Sequence, residues 1–374
     1  MPLGPWSRPF APWAPSGEGV VEVQQRGASL DADLGRRPVA GSSRAGIMAD
    51  RLVVVLATAT MVSTYALVVL GSTVRVTNSG MGCPSWPLCY GHVGPIDQYH
   101  ALLEQSHRYL AGFVTVGALS TVVVAHRASA RRMAFMPAVV GACLVFFQAA
   151  LGALTVLAKN APWTVAVHLV VGFVFLGVTV MTAVTAVRAR HASWARAAIG
   201  RWGWTLLVAM LATIVGGTLV VANGAAGACP AWPLCPPSAS NLANWQLVHR
   251  SLAGVAGLSL VGFVLSHWRT TVGWHAWRVA ALTSMGLFVA VAALGAASAL
   301  TKAAPTWQDA HLAIVALLWG LVVATVTALA TGRQLSGVRS VRIERWSSQG
   351  PRNLGSRPAP SSSGAGRHAG PVAR

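Results

Sequence analysis

Two cysteine pairs, four histidines inside long apolar runs, and one acid among them are the residues whose types and spacing could do chemistry here. Cys83 and Cys89 bracket Pro84-Ser85-Trp86-Pro87-Leu88, and Cys229 and Cys235 bracket Pro230-Ala231-Trp232-Pro233-Leu234. A bridge within either pair closes a very short ring, worth roughly 2 kcal/mol by chain entropy. Two readings stand for these loops: a structural staple over helix ends, or a thiol-exchanging, redox-active pair. The second suits Cys83 and Cys89 better, because their half also carries the unusual acid. Zinc is disfavoured, since the pairs lie in different halves and only His92 and His100 stand near them. Cys143, inside an apolar run, reads as a small core residue.

His107, His168, His249 and His311 fall within apolar runs, each about six residues from one end. At 1.5 Å per helical residue that is roughly 9 Å of depth, so all four share one level. Ionisable groups inside a membrane are costly and mark function. A lone histidine would read as a helix–helix hydrogen bond. Two per half, on the second and fourth helix of a four-helix unit, predict paired axial ligation of a haem iron by neutral imidazoles.

The chain has nine acidic residues, and Glu104 is the one set well within a helix that carries a candidate ligand. It stands three residues before His107, on the same helix face. Gln246 takes the matching place before His249 and cannot exchange a proton near neutral pH. The asymmetry predicts proton-coupled chemistry in the first half and a held cofactor in the second. The plainer alternative is an acid facing a wet outer vestibule. Arg108 and Arg250 follow the ligands and turn about 100° away from them, toward haem propionates or lipid headgroups. Lys159 and Lys302, the chain's two lysines, read as interfacial anchors, as do Trp86, Trp163, Trp232, Trp245 and Trp307.

The elements that must position these residues follow from a duplication. Gly71-Ser72-Thr73-Val74 returns as Gly217-Thr218-Leu219-Val220, and the cysteine loops recur at the same offset of 146. His107-Arg108-Tyr109-Leu110-Ala111-Gly112 returns as His249-Arg250-Ser251-Leu252-Ala253-Gly254, and His168 as His311. Such self-similarity sets the architecture first. Of 374 residues, 54% are hydrophobic and 10% charged, the profile of a polytopic membrane protein. Eight runs of membrane-spanning length lie near 51–74, 101–125, 134–157, 163–187, 203–222, 245–266, 278–300 and 307–331. Helices are the open-ended elements that satisfy their own backbone in lipid, so the fold is all-α, as two tandem four-helix bundles in parallel repeat.

The net charge of +19 does not imply nucleic acid, because the arginines lie between spans and in the tails. Arg127, Arg131 and Arg132, then Arg188, Arg190, Arg196 and Arg201, then Arg269 and Arg278, then Arg333, Arg339, Arg342 and Arg345 cluster after even-numbered spans. The positive-inside rule therefore puts both termini in the cytoplasm and the cysteine loops outside, where disulfides persist. The expected organisation is a disordered tail over 1–47, four-helix halves over 48–190 and 191–333, and a disordered tail over 334–374. Met48 offers an alternative start.

Glu104-x-x-His107-Arg108, His168, His249-Arg250, His311 and the two cysteine loops together resemble bacterial haem A synthase of the cysteine-bearing type, over about 50–331. Order, spacing, topology and duplication agree with that family at once. The resemblance implies a plasma-membrane oxidoreductase that converts the C8 methyl of haem O to a formyl group by two successive hydroxylations, giving haem A for terminal oxidases. It implies that His107 and His168 hold the substrate haem, and that His249 and His311 hold the iron of a haem b. Glu104 would then be the proton acceptor or a charge stabilising a developing cation. A haem O synthase and a thiol-disulfide protein are the implied partners, and a homo-oligomer is open. The rivals are a di-haem electron-transfer protein, which predicts equivalent halves, a haem carrier, and a disulfide-forming quinone enzyme, which leaves four histidines idle.

Overall fold

The computed structural model describes residues 44–94, 97–128, 131–189, 199–237, 239–268 and 275–331. Of the expected tails, residues 1–43 of the first and the whole of 334–374 lie outside the described residues. Those described form eight helices, each long and apolar enough to cross a bilayer. They are α1 (Arg44–Val76), α2 (Tyr99–Arg127), α3 (Arg131–Leu157), α4 (Pro162–Ala189), α5 (Arg201–Ala222), α6 (Ala243–Trp268), α7 (His275–Leu300) and α8 (Pro305–Ala330). All eight expected spans coincide with a helix, and most helices run a few residues beyond the apolar stretch. The largest difference is at α1, whose first turn includes Arg44–Ile47, residues assigned above to the tail.

Sequence neighbours pair as helical hairpins: α1 with α2, α3 with α4, α5 with α6, and α7 with α8. α4 is the most enclosed helix and packs against α1, α5 and α8. Trp319 of α8 donates its indole N–H to the Phe173 carbonyl of α4 at 2.8 Å, beside Gly177, where a side chain would stand 3.2 Å from the indole nitrogen. Without a hydrophobic drive between helices in lipid, small residues permit such close approach. Where the C-terminal end of α1 meets the start of α8, Thr73 donates to the Asp309 carboxylate at 2.8 Å, and Arg75 donates to Gln308 at 3.3 Å.

The main apolar core is built from α4, α5, α6 and α8, with Phe173, Leu206, Met210, Phe263, Trp319 and Val322 among its members. At matching depth the first half buries Thr60, Thr64, Thr121 and Thr179 where the second buries Leu206, Met210, Phe263 and Val322. The turns after α3 and α7 repeat as well, with Lys159 and Lys302 both in the left-handed region at φ 50° and 52°. Cys143 corrects the expectation of a core residue: it is exposed, on the outward face of α3 with Phe146 and Phe147. Apolar side chains on that face are what lipid accepts, so burial cannot be read from hydrophobicity alone in this setting.

Candidate haem-ligand site

Each of the four histidines stands near the start of an even-numbered helix and faces a glycine on the helix before it. His107 is eight residues beyond the first residue of α2; His168, His249 and His311 are six beyond those of α4, α6 and α8. A methyl group added at Gly71 would stand 3.2 Å from His107 Cε1, and one at Gly152 would stand 3.5 Å from His168 Cε1. At Gly217 and Gly295 the corresponding approaches to His249 and His311 are 3.0 and 3.1 Å. At Gly71, Gly217 and Gly295 a larger residue would therefore crowd the ring, whereas at Gly152 the added methyl would make ordinary van der Waals contact. The repeat displayed Gly71 and Gly217, but nothing in their type marked them as supports for an imidazole.

Each half thus carries one such imidazole on each of its even-numbered helices, His107 and His168 in the first half and His249 and His311 in the second. The second pair is pinned. His249 Nδ1 lies 3.1 Å from the Thr213 carbonyl of α5, and His311 Nδ1 lies 3.0 Å from the Val291 carbonyl of α7. A carbonyl accepts only from an N–H, so this contact fixes the proton on Nδ1 and leaves Nε2 as the lone-pair donor. The Nδ1 atoms of His107 and His168 are buried without a hydrogen-bond partner. Two buried imidazoles in each half are the ligand type and number that a haem iron takes from a protein.

One turn before His107 on α2, Glu104 is buried, with 6% of its surface exposed. Its Oε2 accepts the Cys83 backbone N–H at 2.8 Å, and its Oε1 pairs with Arg108 at 2.6 Å. Gln246 is buried in the matching place with reversed polarity, its amide donating to the Ala225 and Ala226 carbonyls at 3.0 and 2.7 Å. Both side chains tether the segment leading to a cysteine loop, but one is an anion and the other neutral.

Cys83–Cys89 and Cys229–Cys235 are disulfides. Helix geometry alone points Arg108 and Arg250 toward propionates or headgroups, but the structure turns both to these loops. Arg108 donates to the Ser85, Pro87, Leu88 and Cys83 carbonyls at 2.7–3.3 Å. Arg250 donates to the Ala231, Pro233 and Cys229 carbonyls at 2.9–3.3 Å. A planar fork with five donors suits a loop whose carbonyls turn inward. One further polar residue escaped the sequence reading. Gln148 of α3, one turn below Gly152, donates to the His168 carbonyl at 3.1 Å.

Residues 54–101 and 97–323 match the family model described as cytochrome oxidase assembly protein, COX15-CtaA. The chain belongs to this family. The matched stretch contains both disulfides, Glu104, all four histidines and the glycines behind them. A protein named Heme A synthase from Shouchella clausii (strain KSM-K16) is 31% identical over 286 residues, 70% of this chain and 92% of that relative. Heme A synthase of Geobacillus kaustophilus (strain HTA426) is 26% identical over 289 residues, 71% of this chain and 88% of its own length. That of Shewanella oneidensis is 28% identical over 197 residues, 47% of this chain and 59% of the relative.

Proposed function

We propose that this member of the cytochrome oxidase assembly family is a haem A synthase. It oxidises the C8 methyl of haem O to a formyl group through two successive hydroxylations, the second giving a geminal diol that loses water. The observation that carries the division of labour is Glu104, a buried carboxylate one turn above His107, against neutral Gln246 above His249. The first half, 48–190, is the catalytic one, and the second, 191–333, holds the resident cofactor.

His107 and His168 are the ligands of the substrate haem, and His249 and His311 those of a haem b. Bound haem iron supplies the redox chemistry that the side chains of this protein lack. The second pair suits a cofactor that stays, because its Nδ1 hydrogens are already committed to backbone carbonyls and its rings need no reordering. Glu104 accepts the proton released at the reacting methyl, or stabilises positive charge there. Each carboxylate oxygen has a second acceptor direction beyond Cys83 N–H or Arg108. Arg108 pairs with the carboxylate and at the same time fastens the cysteine loop over it. The protein lies in the plasma membrane with both termini cytoplasmic and the disulfide loops outside. A haem O synthase supplies the substrate, and a thiol-disulfide protein services the Cys83–Cys89 loop.

The test is to supply haem O to membranes that contain the protein but no other source of haem A, and to chromatograph the extracted haems. A formyl porphyrin appearing with time is the expected result. Haem O recovered unchanged would favour a carrier, and haem b as the sole bound species would favour di-haem electron transfer.

A further inference from the structure

The two haem-ligand sites differ in a second place, beside His168. Gln148 is matched by Val291, and Gly172, one turn after His168, is matched by Val315. The two changes belong together. A methyl group at Gly172 would stand 3.0 Å from Gln148 Nε2, so the glycine makes the room that the longer amide occupies. In the second half Val291 and Val315 pack against the main apolar core. In the first half Gln148 Nε2 donates to the His168 carbonyl at 3.1 Å, and this fixes which end of the amide is which. Its Oε1 is then left buried with no hydrogen-bond partner, as is His168 Nδ1.

A buried unpaired carbonyl oxygen costs free energy unless a donor arrives. We propose that Gln148 is the residue by which the first haem site recognises the hydroxyl group on its substrate's alkyl chain. The inference rests on the reading that His107 and His168 bind haem O. Haem O differs from haem b in one substituent, a hydroxyethylfarnesyl chain in place of a vinyl group. That exchange adds one hydroxyl donor and a long apolar tail. Gln148 offers an acceptor for the hydroxyl one helical turn below the ring of His168, on the face of α3 that carries Gly152. The second site offers valine there, which suits a vinyl group. A site built to bond a hydroxyl rejects the analogue that lacks it more strongly than an apolar pocket rejects an added one.

The experiment uses the whole protein carrying its haem b at His249 and His311. Haem O, or further haem b, is titrated in, and first-site binding is read from the low-spin haem absorbance and tryptophan quenching. The parent should prefer haem O by roughly tenfold or more, the effect of one good hydrogen bond. In Gln148→Leu, and in Gln148→Val, which copies the second half, that preference should fall about tenfold through weaker haem O binding, with haem b binding unchanged. An unchanged preference would overturn the proposal. So would a parallel loss of both haems, which would make Gln148 a support for His168. The retained haem b spectrum reports that each variant folds, and Gln148→Asn supplies a milder amide if either apolar variant loses it. Haem O binding that survives His107→Ala with His168→Ala would instead sink the assignment of the site.

Discussion

At the scale of single residues, the proposed function depends on four imidazoles, three of them closely backed by a glycine. Gly295 approaches His311 to the point that an added methyl would stand 3.1 Å from the ring. Gly295→Val should displace that ring from the Val291 carbonyl and cost about 1–3 kcal/mol in overpacking. The expected outcome is loss of most haem b, read as the reduced-minus-oxidised absorbance of the purified protein. Full haem b content would show that the ring tolerates the crowding and that the glycine is incidental. The histidines and Glu104 were legible in the sequence because an ionisable group in an apolar run stands out against its surroundings. Gly71, Gly152, Gly217, Gly295 and Gln148 were not, because each acts through shape or through one hydrogen bond across a bundle, and neither leaves a periodicity.

At the scale of elements, each disulfide loop is tied to the helix below it by an arginine and by the side chain four residues earlier. In the first half that side chain is the Glu104 anion, in the second the Gln246 amide. Removing the arginine therefore has unequal consequences. Arg108→Ala leaves a buried carboxylate without its counter-ion, a loss of the order of 3–5 kcal/mol, whereas Arg250→Ala removes hydrogen bonds to carbonyls worth about 1.5–3 kcal/mol. Thermal unfolding in detergent should show the larger drop for Arg108→Ala, and Glu104→Gln should partly rescue it. Equal drops would mean that the Glu104–Arg108 ion pair adds nothing to the fold beyond the carbonyl hydrogen bonds that both arginines make. The sequence displayed both arginines and both cysteine loops but not their union. Side-chain direction was inferred from helix geometry alone, and a loop that folds back over the helix end is a tertiary event.

At the scale of the whole molecule, helix number and approximate ends were legible, since eight apolar runs of bilayer length leave few alternatives. The enclosed position of α4 and the contacts of α1 with α8 were not, because hydropathy is blind to which face meets protein and which meets lipid. Cys143 shows the same blindness. Orientation gives a direct prediction. Lys159 and Lys302 are both exposed, at the ends of α3 and α7, and are the chain's two lysines. An amine reagent that cannot cross membranes should modify both in intact cells, as mapped by peptide mass. Modification only after lysis would invert the proposed topology and place the disulfide loops in the cytoplasm.

The measurement that bears most directly on the central claim is the haem content of Glu104→Gln. Glutamine keeps one acceptor for the Cys83 N–H, removes the charge and turns the oxygen that faces Arg108 into a donor, so the first half carries the residue found in the second. With haem O supplied, the variant should retain its haem b, accumulate haem O or a hydroxylated intermediate, and yield no haem A. Haem A formed at the parent's rate would contradict the assignment of the chemistry to Glu104 and to the first half.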